Sequence, residues 1–183
     1  MAIFKSWFTK MIDAVKMDDL DDLLLSQLRD LYDAEKQLIT ALPRMERAAS
    51  TDVLQAAFRN HWEETKLHQQ RLEQVFGWLS VQPDCETCEA MQALLTESEQ
   101  AITLECDLNL KDAALIAACQ RIEHYEIASY GCARTFAGHL GHIEVVRILQ
   151  TTLDEERRAD QSLTDIAENY VNLHAAHHRG VAY

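Results

Sequence analysis

Apolar side chains recur at steps of three and four along four long segments of the chain. Leu24, Leu28, Leu31, Leu38 and Leu42 form one run, and Leu54, Ala57, Leu72 and Val75 a second. Leu115, Cys119 and Ile122 form a third, and Val145, Leu149, Leu163 and Ile166 a fourth. Such spacing marks one face of an α-helix, and that face should be the core. The pattern predicts helices over 19–49, 52–80, 111–140 and 143–173, with a shorter helical piece over 90–106. The acidic run Asp18, Asp19, Asp21, Asp22 opens the first helix, where negative charge favours an N-terminus. Ser50, Thr51 and Asp52 make the turn and N-cap for the second, and Gly141 stops the third. Pro43 inside the first helix should kink it. Two tight antiparallel pairs joined by one long helical connection give an all-α, ferritin-like four-helix bundle.

Acidic side chains interrupt all four stripes. Glu35 sits in the first, Glu64 in the second, Glu126 in the third and Glu156 in the fourth. A bare carboxylate in a core costs many kcal/mol, so each must be paired, protonated or metal-bound. Helices that aim carboxylates inward are how bundles hold two metal ions. The interruptions also repeat: Glu35 to Glu64 is 29 residues and Glu126 to Glu156 is 30. His68 follows Glu64 by one turn, Asp160 follows Glu156 by one turn, and Glu123 precedes Glu126 on the same face. Residues three or four apart can face one ion. The competing reading of any single such Glu is a residue at the edge of its stripe. The usual bundle motif is Glu-x-x-His, whereas here the spacing is one residue longer and the second half lacks the histidine.

Composition narrows the classes. With 5 Gly and 2 Pro in 183 residues there is little turn chemistry for many strands. A net charge of -13 argues against nucleic acid and anionic membranes as main partners. No run of 18 apolar residues and no secretory pattern is present, so no transmembrane segment is expected and the cytoplasm is the default compartment. Five cysteines in a chain of this size do not suggest a disulfide framework.

Residues 28–50, 61–76, 88–95, 111–131 and 153–167 closely resemble the YciF-like bacterial stress proteins of the ferritin-like superfamily, in order and without large gaps. The resemblance spans about 20–172 and implies a rubrerythrin-like bundle, a stress-related role and a homodimer. It also implies a di-iron site at Glu35, Glu64, Glu123, Glu126 and Glu156 with His68 and Asp160 adjoining. Two ions per chain are expected, and oxygen-rich ligands with one imidazole suit manganese as well as iron. Such a site would oxidise Fe(II) or reduce peroxide. The alternative is a non-catalytic bundle acting through its surface, its inward carboxylates paired with Arg71, His61 or tyrosines.

The remaining features divide the chain into 1–17, 18–173 and a frayed tail, 174–183. Phe4, Trp7, Phe8, Met11, Ile12 and Val15 give the first 17 residues an amphipathic pattern, with Lys5, Lys10 and Lys16 outside it. That segment suits docking on the bundle or a partner subunit, with surface anchoring as the alternative. Cys85-x-x-Cys88 is half a zinc site at best and reads as two plain thiols or a redox pair. His61 is a core histidine or a partner that orients a ligand. Tyr32, Tyr125 and Tyr130 lie near the carboxylates in sequence, and His174, His177 and His178 form a local patch.

Overall fold

The computed structural model describes residues 17–83 and 86–177. Residues 1–16, Cys85 and His178 therefore lie outside it, and with them the N-terminal segment and the cysteine pair. Helix α1 spans Leu20–Ala48, α2 Asp52–Trp78, α3 Glu89–Thr103, α4 Leu108–His139 and α5 Ile143–Ile166. A π-helical turn, Ala167–Val171, leads into α6, Asn172–His177, so the chain stays helical for four residues of the segment read as tail. No strand occurs among the described residues.

Local chemistry explains the boundaries. Asp19 caps α1, its carboxylate accepting from Asp22 N at 3.0 Å. Helix α4 starts three residues before the expected 111 because Asp107 caps it, accepting from Asn109 N and Leu110 N. Gly141 closes α4 with φ +80, a conformation that only glycine takes readily. Helix α1 continues through Pro43. Proline lacks the N–H that would reach Ile39 O, and the Trp62 indole of α2 donates to that carbonyl instead, at 3.0 Å.

The α1–α2 turn is held from across the bundle. Asp112 of α4, fully buried, accepts from Ser50 N (2.7 Å), Ser50 Oγ (3.0 Å), Thr51 N (3.0 Å) and Thr51 Oγ1 (2.9 Å). Thr51 stands at the N-cap position of α2, but its hydroxyl serves Asp112 and caps nothing. The crossover helix α3 packs on α1 and α4 through Met91, Leu94 and Leu95. Its start is pinned by Asp33, which accepts from Cys88 N at 2.8 Å.

The apolar core is two clusters, not one. Leu38, Leu42, Met45, Leu54, Phe58, Leu115 and Ile122 belong to the first. Leu24, Leu28, Leu31, Leu72, Val75, Phe76, Tyr130 and Leu149 belong to the second. Along each helix the residues between these clusters are polar and buried: Glu35, His61, Thr65, His68, Glu123, Glu126 and Glu156. A polar layer thus divides the bundle at mid-height.

Candidate metal centre

Four helices supply the layer. Glu35 comes from α1, His61 and His68 from α2, Glu123 and Glu126 from α4, and Glu156 from α5. All four carboxylates are fully buried and His61 is 5% exposed. Two groups offer converging ligand atoms within 4.8 Å of one another. One is His61, Glu123, Glu126 and Glu156; the other is Glu35, His68 and Glu156. Glu156 belongs to both.

Within the first group His61 Nε2 is 3.2 Å from Glu123 Oε1, and His61 Nδ1 is 4.0 Å from Glu156 Oε2. Within the second, His68 Nδ1 is 2.8 Å from Glu156 Oε1 and 3.6 Å from Glu35 Oε1. These atoms are close but badly aligned. Neither His61 nitrogen, nor His68 Nδ1, nor either oxygen of Glu126 or Glu156 has a partner in hydrogen-bonding geometry. Glu35 Oε2 and Glu123 Oε2 are orphaned in the same way. Buried polar atoms are rarely left so.

The other edges of the layer are firmly tied. His68 Nε2 lies 3.0 Å from Glu155 Oε2, and Glu155 takes a two-pronged contact from Arg71, with Nη2 to Oε1 at 3.0 Å. A carboxylate behind a histidine fixes its ring and presents the opposite nitrogen. Tyr130 donates to Glu35 Oε1 at 2.5 Å, and Cys119 donates to Glu123 Oε1 at 3.2 Å.

Burial and charge act in opposite directions across the layer. Burial raises Glu35, Glu123 and Glu126 above the ordinary carboxylate range, and the Glu156 charge pushes all three further. Burial also opposes charge on Glu156, but His68 outweighs it and the group stays below that range. His68 is raised: Glu156 and Glu35 overcome the desolvation of its ring. His61 is lowered, because burial of its ring outweighs the Glu156 charge. Glu155, despite burial, is held down to about 2 by His68 and Arg71.

Of the sequence candidates, Glu35, His68, Glu123, Glu126 and Glu156 meet in the layer. Glu64 is only partly buried and stands outside both groups. Asp160 also stands outside; it accepts from Gln120 Nε2 at 3.3 Å and faces His124 at 3.4 Å. The reason lies in register. The buried stripe of α2 is Leu54, Phe58, His61, Thr65, His68, Leu72 and Val75, one position off a stripe drawn through Ala57 and Glu64. His61, read as a core histidine or a supporting partner, lies instead among the potential ligands, its ring converging with Glu123, Glu126 and Glu156. Arg71 pairs with Glu155, not with the inward carboxylates. Among the tyrosines, Tyr130 reaches the layer, while Tyr32 binds Glu73 at 2.9 Å and Tyr125 binds Asp30 and Cys88. His174 is engaged with Tyr170 O at 2.7 Å.

Residues 19–176 match a family described as a domain of unknown function, DUF892. Protein YciF of Escherichia coli (strain K12) is 41% identical over 162 residues, covering 88% of this chain and 98% of that protein. The chain belongs to the YciF-like family. Its bundle is similar to the crystal structure of the E. coli stress protein YciF, with a TM-score of 0.83 over 85% of this chain and 99% of that one. It is also similar to YcfI of Rhodopseudomonas palustris, a suggested structural protein, at 40% identity and TM-score 0.79 over 82% and 96% of the two chains. A Xanthomonas campestris protein at 21% identity shares the fold, with TM-score 0.69 over 87% of this chain and 98% of that one. No helix among the described residues is long and apolar enough to cross a membrane.

Proposed function

We propose that this YciF-like protein is a ferritin-like stress-response protein whose polar layer holds two metal ions, iron or manganese. The observation that carries the proposal is the set of orphaned, fully buried oxygen and nitrogen atoms converging on two places that share Glu156. Charge supports it: Glu35, Glu123, Glu126 and Glu156 would bring four negative charges when ionised, and two divalent cations bring four positive ones. A neutral buried cluster avoids the desolvation cost that either set bears alone. An oxygen-rich set with two imidazoles suits iron or manganese better than a thiolate-seeking metal.

When bound, a redox-active metal pair supplies electrons for reducing oxygen or peroxide, with Fe(II) oxidation as the counterpart. The chain's own residues set the conditions. Glu155 and Arg71 hold His68 with Nδ1 facing Glu35 and Glu156. Cations bind the ionised forms of Glu35, Glu123 and Glu126, and burial favours their protonated forms, so loading displaces whatever protons these carboxyls hold. The apolar clusters above and below shield the layer along the bundle axis.

Metal analysis of protein purified without chelators and then loaded with Fe(II) or Mn(II) tests this. Two ions per chain are expected. Glu156→Ala should lose both, because it serves both groups, while His61→Ala and Glu35→Ala should each lose one. Wild-type protein that stays metal-free in excess metal, or full binding by Glu156→Ala, would sink the proposal. The second reading is a non-catalytic bundle, and one observation favours it: His68 and Arg71 already neutralise Glu155 and Glu156 without metal. The assembly we propose is a homodimer, because Leu25, Trp78, Leu79, Val81 and Ile143 line adjoining hollows at one end of the bundle. Trp78 and Ile143 are 46% and 55% exposed.

A further inference from the structure

A pocket of 190 Å³ opens between α2, α4 and α5. Its deeper lining is His61, Cys119 and Glu123, all buried; its outer lining includes Asn60, Glu64, Arg158 and Ser162. The deep end is unsatisfied. Both ring nitrogens of His61, at 5% exposure, and Glu123 Oε2, at 0%, lack hydrogen-bond partners. Glu64 stands one helical turn from His61 and forms no ion pair among the described residues. It stands outside both groups of converging ligand atoms, yet it lines the same cavity.

We infer that this pocket is the cation entry route to the layer, with Glu64 as the capture carboxylate that passes a divalent ion to His61 and Glu123. The inference rests on the metal-binding reading above and adds how the site is filled. A hydrated cation cannot drop its water shell at once in a protein interior, since hard cations release water reluctantly. A partly exposed carboxylate can replace one water while the others remain. The His61 ring and the orphaned Glu123 oxygen can then replace the rest. An anionic side chain at the mouth of a low-dielectric cavity also raises the local cation concentration. Arg158, on the opposite lip, opposes that effect, so the two charges should act on uptake with opposite signs.

The test is stopped-flow uptake of Co(II) by metal-free full-length protein, followed by absorbance, together with equilibrium stoichiometry. Glu64→Gln keeps the shape and removes the charge. It should leave stoichiometry unchanged and slow uptake about tenfold at low salt. The slowing should shrink as salt rises, because a half-exposed charge is screened. Ser162→Trp, at an exposed position on the rim, should slow uptake by obstruction with no change in stoichiometry. Arg158→Gln should speed it modestly. Glu63→Gln, which removes an exposed carboxylate of the same helix outside the pocket, should load like wild type.

A Glu64→Gln protein that binds one ion fewer would make Glu64 a resident ligand and overturn the inference. So would wild-type uptake rates in both Glu64→Gln and Ser162→Trp. If wild-type protein itself binds no Co(II), Fe(II) or Mn(II), the parent reading fails first, and the two failures are told apart by that measurement.

Discussion

At the scale of single residues, the metal-free layer is a set of displaced titrations, and their signs fix a pH dependence. Glu35, Glu123 and Glu126 are raised above their ordinary 4.5. Each therefore contributes stability that is present below about 4.5 and lost as pH rises toward its folded value. His68 is raised above 6.5, so its contribution is lost as pH rises beyond 6.5. His61 is lowered and acts oppositely below 6.5, but one group opposes several. Glu155 and Glu156 are lowered, and their contribution disappears only below 4.5. Metal-free protein should thus melt at a higher temperature at pH 5 than at pH 8, and loading with Mn(II) should shrink or reverse the difference. Thermal melts with chelator and with metal check this; a metal-free melting temperature that climbs from pH 5 to pH 8 refutes it. Glu126→Gln should flatten the trend while leaving stability at neutral pH unchanged or higher, because neither Glu126 oxygen has a hydrogen-bond partner to lose.

Among the elements, α1 and α2 show how a helix tolerates a local fault. Pro43 leaves Ile39 O without its helical donor, and Trp62 supplies one from the neighbouring helix. Trp62→Phe should cost about 1 kcal/mol beyond its lost contact area, since a partly buried carbonyl is stranded. Pro43→Ala restores a main-chain donor to the same carbonyl. In the Pro43→Ala background, Trp62→Phe should therefore cost less, a coupling of about 0.5–1 kcal/mol readable by urea denaturation of the four proteins. Additive costs would mean that the indole serves only as packing. The turn that joins these helices depends on Asp112, contributed by α4 from 61 and 62 residues away. Neither the α1–α2 turn nor the start of α2 is thus a local structure alone.

Taken whole, the molecule separates a core that is internally divided from a surface that is not uniformly polar. The apolar hollows at the α2 end of the bundle, around Trp78 and Ile143, exceed the scattered single exposures expected of a monomer. Light scattering at micromolar concentration should report a dimer, two-fold symmetric as most homo-oligomers are. The double substitution Trp78→Gln, Ile143→Gln should shift it toward monomer. A clean monomer for the wild-type protein sinks the proposal. Loss of the dimer only when residues 1–17 are removed would instead assign the contact to that segment.

Periodicity alone predicted four long helices, their order and their short connections, because apolar spacing of three and four records which face each helix buries. It also exposed Glu35, Glu126 and Glu156, since a charge at the centre of an apolar stripe breaks the pattern visibly. What periodicity could not resolve was register to within one position. On α2 the stripe can be drawn through Ala57 and Glu64 or through Phe58 and Thr65, and 3.6 residues per turn lets both pass over two turns. Both drawings keep His61 and His68 inward; packing against α1 and α5 chose the second, which buried Phe58 and Thr65 and left Glu64 toward the rim. Glu155 and Arg71 were likewise unreadable as supports, because only the α2–α5 contact brings residues 84 apart in sequence to one histidine. Short-range periodicity thus specified the helices and most of the carboxylates. The identity of the second histidine, the supports behind the first and the pocket that leads inward depend on contacts between helices, which no single stripe encodes.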